Sequence, residues 1–379
     1  MINKFLSIFE RDWSFKKIKQ SKYLILEHGH DEVFLNYFKK RDIEFVYFNK
    51  EINLYLVIKL LINLKKISQL NYYKLAIKLS NPKTIITATD NNKNFYRLKK
   101  YFKKKKFIAI QNGYRNDKEL FESNGNNEKF KCDNIFCFGS QNISYYKSKV
   151  DAKIIPVGAI RNNLISKFKN RKIINCLTYI SEFRLKKSFH YNKLNYKKMY
   201  GLNFENFNDF ISSEIKIIKL IYLICKKKNI PFYIVGSSDS DPIKEKKWYQ
   251  KILKEKKINF KPKKSYRSSY DFLIRSKYIA NIDSTLGYEF LARNKKIIFF
   301  SRNINSSKKI NDLWNFGWPS VFKKKGFFFT NELKIKETER LINNMISSSK
   351  KNWISKINPV KRKIMNYQPG NKKLLKVIK

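Results

Sequence analysis

The stretch Ile282-Asp283-Ser284-Thr285-Leu286-Gly287-Tyr288-Glu289 gathers two hydroxyls, a glycine and a carboxylate where a short apolar strand runs into a helix. Such a turn presents unsatisfied backbone N–H groups and the positive end of a helix dipole, so it stabilises a phosphate without a metal. Ser284 and Thr285 are read as hydroxyl donors to that phosphate, the Gly287 backbone as the point of close approach, and Glu289 as the acceptor for a ribose or other polyol. In the competing reading Ser284 or Thr285 caps the helix and Gly287 lets it pack on its sheet. A capping box would place Glu or Gln three residues on, where Gly287 and Tyr288 stand, so capping leaves Glu289 unexplained.

Other polar turns in the second half follow predicted strands. Ser181 and Arg184 come after 173–179, Ser237 after 232–235, and Arg267 with Ser268 after 258–260. Arg184 and Arg267 are expected to carry charge opposite a leaving phosphate, because a guanidinium forks onto phosphate oxygens. Asp239-Ser240-Asp241 spells a DxD pair of the kind that holds a divalent cation. Asp241 before Pro242 and an amphipathic run is instead an ordinary helix start. No metal site and no cofactor are expected.

The first half offers Glu27-His28-Gly29-His30, Asp90-Asn91-Asn92, and Gln111-Asn112-Gly113-Tyr114-Arg115, each at a strand end. A transfer to a hydroxyl needs a base, and Asp90 or His28 is the expected one, with His30 a neighbouring candidate. For Asp90 the alternative is a turn-forming role before a helix; for either histidine it is packing in a loop. Asn91, Gln111, Asn112, Gly113 and Arg115 are further candidate contacts at these strand ends, and the family resemblance described below implies the acceptor side for them.

Placing these turns requires strands at 23–26, 44–48, 84–88, 107–111, 134–138 and 152–156, and again at 173–179, 232–235, 258–260, 278–282, 296–300 and 327–329. Helices are predicted at 54–70, 210–228, 242–256, 268–275 and 286–293. Alternation of this kind gives parallel sheets covered by helices. The fold class is α/β, with two Rossmann-like domains facing a central cleft. Residues 1–163 form the first domain and 164–345 the second. Residues 346–379 form a basic tail that packs back across the hinge, made irregular by Pro359 and Pro369.

At 379 residues with 42% hydrophobic and 16% aromatic content, the chain can bury two cores. Its formal charge of +52 attracts anionic partners through a screened field. Lys, however, is spread over every segment alongside heavy Ile, Asn, Phe and Tyr usage, all encoded by A/T-rich codons. No specific nucleic-acid partner is expected, since no RNP1-type aromatic motif or single basic stripe occurs. Four cysteines without CxxC spacing indicate a reducing compartment. The N-terminus does not read as a signal peptide. No apolar run reaches membrane-spanning length; residues 54–70, with Lys on one face, read as a sheet-covering helix rather than one lying on a membrane.

Taken as a set, Asp90-Asn91-Asn92 with Phe95, Ile110-Gln111-Asn112-Gly113-Tyr114-Arg115, Phe138-Gly139 with 158–162, Tyr179-Ile180-Ser181, 283–289 with Ala292-Arg293, and Phe316-Gly317-Trp318-Pro319 resemble the bacterial surface carbohydrate biosynthesis proteins. These are glycosyltransferase-like proteins of lipopolysaccharide and O-antigen loci, and the similarity runs from about residue 23 to 353. The resemblance implies a metal-independent GT-B-like enzyme, cytoplasmic and peripheral at the inner face of an anionic membrane. It would move a sugar from a nucleotide-sugar donor, held by the second domain, to a glycan or lipid-linked acceptor. The rival expectations are an epimerase-like enzyme acting on the nucleotide-sugar, and a basic RNA-binding protein.

Overall fold

The computed structural model describes residues 12–27, 29–49, 51–113, 129–165, 172–183, 207–237, 241–301, 316–317, 325–332 and 334–379. The chain divides into two units, residues 1–166 with 366–379, and residues 167–365.

Unit 1 begins with β1 (Asp12–Ser14) and β2 (Tyr23–Leu26), followed by α1 (Asp31–Tyr37), β3 (Ile43–Val46) and β4 (Glu51–Asn53). The helices α2 (Leu54–Ile62) and α3 (Gln69–Ser80) lead to β5 (Thr84–Thr87), α4 (Lys93–Tyr101), β6 (Lys106–Ile110) and β7 (Phe130–Cys137). After α5 (Gln141–Lys147), β8 (Val150–Pro156) and α6 (Ile160–Leu164), the chain enters unit 2. The main sheet has the order β3-β2-β5-β6-β7-β8 with every pairing parallel, and β1 pairs with β4 alone. Strands buried on both faces read as unbroken apolar runs, as Tyr23–Leu26 does. Alternate side chains feed two cores: Leu24, Leu26 and Ile85 enter one, and Tyr23, Ile25 and Ile86 the other.

Unit 2 contains β9 (Ile174–Ile180), α7 (Phe207–Lys227), β10 (Phe232–Val235), α8 (Pro242–Leu253) and β11 (Asn259–Lys261). Then come α9 (Tyr266–Arg275), β12 (Ser276–Asn281), α10 (Thr285–Ala292), β13 (Lys296–Phe300), β14 (Phe329–Thr330), α11 (Ile335–Ser347) and α12 (Lys350–Ile364). Its parallel sheet has the order β11-β10-β9-β12-β13-β14. The twelve strands predicted from the sequence are all present, three of them (23–26, 232–235 and 296–300) with the predicted bounds and the others with shifted ends.

Two expectations are corrected. The helix predicted over 54–70 stops at Ile62: Leu64 turns left-handed at φ +50°, and Lys65 N–H donates to Leu60 O at 2.9 Å. This is a Schellman-type stop, hidden in the sequence because Leu stands where Gly usually signals it. A second helix, α3, then starts from Ser68, whose side chain accepts from Asn71 N–H. Finally, α12 runs straight through Pro359 to Ile364. Proline removes one N–H and crowds the preceding turn, and Pro359 sits on the exposed face of the helix.

Residues 366–379 return to unit 1 and end in α13 (Lys372–Ile378), whose Leu374 and Ile378 join the core of Tyr23 and Ile25. Polar clamps fix this segment. Asn366 N–H donates to Phe138 O at 2.8 Å, Gln368 N–H to Asn163 Oδ1 at 2.8 Å, and Asn371 Nδ2 to Ile160 O at 2.8 Å. Gly158, at φ +83°, lies so close under Asn366 O that any Cβ there would overlap it.

Candidate functional site

Each sheet has one place where its strand order reverses. In unit 1, β2 carries β3 on one side and β5 on the other; in unit 2, β9 sits between β10 and β12. Ligands of doubly wound sheets lie beyond the C-terminal strand ends at that reversal. The described residues placed there are 27, 29 and 30 with 88–90 in unit 1, and 181–183 with 282–284 in unit 2.

At the unit 2 reversal, β12 ends in the fully buried Asn281 and α10 starts directly after Ser284. Asn281 Nδ2 donates to Ser284 O at 3.1 Å and holds the turn. Ser284 makes no capping bond, and both it and Thr285 are half-buried. The two hydroxyls therefore stand beside the helix start, where the dipole favours an anion. Gly287 has a different task from the one expected: its N–H donates to Ser284 O at 3.0 Å, and its Cα lies against the Asn281 side chain. The close approach that requires glycine is to Asn281. Glu289 is 6% exposed and accepts from the Tyr270 hydroxyl on α9. Tyr288 is buried as well and accepts from Gly317 N–H at 3.2 Å, tying the Phe316-Gly317 turn to α10.

The neighbouring ends of β9 and β10 are held by a buried polar network that no sequence motif announced. Ser181 Oγ donates to Glu245 on α8, accepts from Phe183 N–H at 3.1 Å, and lies 2.7 Å from the Tyr249 hydroxyl. Glu245 also accepts from Ser237 N–H at 2.9 Å. Glu214 on α7 accepts from the Tyr179 hydroxyl at 3.0 Å, the Tyr249 hydroxyl at 2.9 Å and Glu182 N–H at 3.2 Å. Burial, reinforced by the Glu214 charge, raises the Tyr249 phenol far above its ordinary pKa. Ser181, 5% exposed, spends its one proton on Glu245 inside this network, so its assignment as a donor contact is corrected to that of a loop anchor. Ser268 is corrected in the same way. Its hydroxyl accepts from Lys264 N–H and Ser265 N–H and donates to Ser265 O at 2.8 Å, closing the first turn of α9. Arg267, one residue earlier, is exposed. Arg184 lies outside the described residues.

Asp241 is the N-cap of α8, accepting from Ile243 N–H at 2.9 Å and Lys244 N–H at 3.3 Å, with Pro242 following. These backbone donors hold its carboxyl below the usual range. Among the described residues, no group of three or more His, Cys, Asp or Glu could hold a metal ion.

At the unit 1 reversal, Asp90 is fully buried. Its Oδ2 accepts from the Tyr146 hydroxyl at 2.7 Å and its Oδ1 from Asn112 N–H at 3.2 Å. A base must reach the proton that it takes; Asp90 instead pins the loop after β6 to the loop after β5. Gln111 is also buried, donating to Gly113 O at 2.9 Å and accepting from Phe138 N–H at 2.8 Å, so its side chain is spent on the loop rather than on an acceptor. The Asn91 and Asn112 side chains are exposed beside it. His28 and Arg115 lie outside the described residues.

Glu27 closes β2 in a left-handed conformation, φ +69°, and is 3% exposed. It accepts from the Tyr73 hydroxyl and from Gln69 Nε2 at 3.0 Å. A non-glycine residue held there marks backbone strain at a ligand-facing strand end. His30 follows, with Nδ1 buried and without a partner. Burial first and the Arg161 charge second push its pKa down to about 3, so the ring is neutral at physiological pH.

Residues 108–379 match the family described as "putative O-antigen biosynthesis protein". The chain belongs to this family. Among curated proteins none matches. Of the solved structures, a "putative UDP-N-acetylglucosamine 2-epimerase" from Listeria monocytogenes is 12% identical, covers 96% of both chains and superposes with a TM-score of 0.56. Sucrose-phosphate synthase from Thermosynechococcus elongatus, at 11% identity over 95% of this chain and 98% of its own, has a TM-score of 0.49. A glycosyltransferase from Rickettsia africae, at 12% identity over 94% and 98%, has 0.48. The first likeness is one of fold, and the GT-B-like pair of Rossmann-like units expected from the sequence is the fold observed. This member of the family therefore carries its candidate ligand groups at the two strand-order reversals of that fold.

Proposed function

We propose that this O-antigen biosynthesis protein transfers a sugar from a nucleotide-sugar donor to a growing surface glycan or its lipid carrier, at the cytoplasmic face of the membrane and without a metal. The observation that carries the reading is the start of α10: two hydroxyls and a helix N-terminus placed at the strand-order reversal of unit 2. Ser284, Thr285 and the first-turn amides hold the donor phosphate, and Glu289, steadied by Tyr270, accepts from the ribose. Arg267 and Arg184 stabilise charge on the departing nucleotide. In unit 1, His28 takes the acceptor proton and Arg115 contributes charge on the acceptor side, while Asp90 and Gln111 hold the turns that carry Asn91 and Asn112.

Chemically, the acceptor oxygen forms a bond to the anomeric carbon as the bond from that carbon to the diphosphate breaks. The acceptor proton passes to His28 and the electron pair leaves with the nucleotide. The helix dipole and hydroxyls act where negative charge grows, which is where preorganised donors accelerate a reaction most.

Calorimetric titration with a panel of nucleotide-sugars tests the donor site. The double variant Ser284→Ala, Thr285→Ala should bind the preferred donor at least about tenfold more weakly, the loss expected for hydrogen bonds to a charged group. Glu289→Gln should weaken donors and not the free diphosphate. Unchanged affinity in both variants sinks the assignment. Sugar conversion by the protein and donor alone, with no acceptor consumed, would replace transfer by epimerisation.

A further inference from the structure

Twelve large apolar side chains are exposed among the described residues, and six of them, Trp13, Phe15, Ile58, Leu61, Ile62 and Leu64, lie in two segments that meet at the start of α2. The meeting is built in. β1 pairs with β4 just before the helix, Asn53 Nδ2 donates to Lys16 O at 2.7 Å, and the Phe15 ring stands edge-on to Tyr55 at 6.2 Å. On α2, Leu56 and Leu60 enter the core. Tyr55, Ile58 and Ile62 recur at i, i+3 and i+7, so they share the opposite face, with Leu61 beside them. The left-handed turn then carries Leu64 out to 96% exposure, and Ile62 is 73% exposed. An apolar surface this concentrated is not the scattered exposure ordinary for a soluble domain.

Its border is basic. Residues 61–66 are all exposed and read Leu-Ile-Asn-Leu-Lys-Lys; Lys17 is exposed next to Phe15, and Lys59 Nζ lies 5.7 Å over the Tyr55 ring. Among the described residues the acids nearby are Asp12 and Glu51, on the paired strands ahead of the helix, and the buried Glu44, which pairs with Lys16. Aliphatic side chains at the tip of a short helix with lysines at their edge fit the acyl-headgroup boundary of an anionic bilayer. A second copy of the chain would bring the same lysines against each other on a protein of formal charge +52.

We propose that α2 and the turn after it, with Trp13 and Phe15, form the surface by which the protein docks on an anionic lipid membrane. The proposal deepens the reading of a lipid-linked acceptor, yet it is tested without donor or acceptor, so the two can fail separately. The probe is flotation with vesicles of phosphatidylglycerol and phosphatidylethanolamine, compared with phosphatidylcholine alone. The wild-type chain should float with the anionic vesicles and keep a measurable part of that binding near 1 M salt, where the screening length is only about 3 Å. Leu61→Ser, Ile62→Ser, Leu64→Ser together, checked for an unchanged unfolding temperature, should lower the partition by roughly tenfold or more, the ratio expected when even one aliphatic side chain leaves an apolar phase. Lys65→Glu with Lys66→Glu should reduce the salt-sensitive part. Equal flotation of the triple serine variant and wild type would show attraction by net charge alone and overturn the proposal. So would a wild-type dimer in sedimentation that the serine variant converts to monomer.

Discussion

Gly287 on α10 lies directly against the side chain of Asn281 at the end of β12, leaving no room for a Cβ. Asn281 in turn holds Ser284 O, so these two residues set the angle at which the helix leaves the sheet. Gly287→Ala should destabilise unit 2 by about 1–3 kcal/mol, the usual cost of overpacking a filled interior. Combining it with Asn281→Ala, which removes the overlapping atoms, should cost less than the sum of the single changes. Thermal unfolding of the four proteins measures the coupling.

The polar network behind β9 and β10 predicts a second outcome. Tyr249→Phe removes the hydroxyl shared by Glu214 and Ser181 in a fully buried setting. A loss of about 1–3 kcal/mol is expected, since buried acceptors lose a partner. Glu245→Gln, which keeps the shape and one acceptor oxygen, should cost less than Glu245→Ala. Denaturant unfolding with equal m-values would confirm that stability alone changed.

A third prediction concerns pH. His30 has its folded-state pKa depressed to about 3 from the ordinary 6.5. Between those values the unfolded chain binds the proton and the folded chain does not, so stability is full above about pH 6.5 and falls as pH drops toward 3. His30→Gln should flatten this part of the stability profile. Chemical denaturation at pH 7 and pH 5 reads the difference; an identical pH slope in both proteins would refute it.

Fourth, a chain ending at Met365 should lose unit 1 stability while unit 2 keeps its own. Leu374 and Ile378 are removed from the core, and Asn163 loses the Gln368 N–H and Asn371 partners. Each fully buried aliphatic side chain contributes about 1.5–3 kcal/mol. Scanning calorimetry should show the transition of unit 1 shifted or absent beside that of unit 2.

The architecture was readable because both signals it depends on are local. Strands such as Tyr23–Leu26 are unbroken apolar runs, and amphipathic helices separate them. What escaped was decided by packing and hydrogen-bond partners that residue type and spacing do not announce. Gly287 reads as a phosphate contact until Asn281, six residues earlier, is seen beneath it. Ser181 and Ser268 look like ligand hydroxyls, and only the fold shows them spent on Glu245 and on the first turn of α9. Asp90 at a strand end looks like a base, but Tyr146, fifty-six residues on, takes one of its oxygens. Leu64 in the left-handed turn gave no warning that α2 would stop, because the usual glycine is absent.

The return of residues 366–379 to unit 1 also sets an order of events at the ribosome. Domains made earlier generally fold earlier. Here the core containing Tyr23 and Ile25 lacks Leu374 and Ile378 until translation has passed through the whole of unit 2. The unit whose synthesis starts first is therefore the one completed last, and its exposed apolar face must stay soluble throughout that interval.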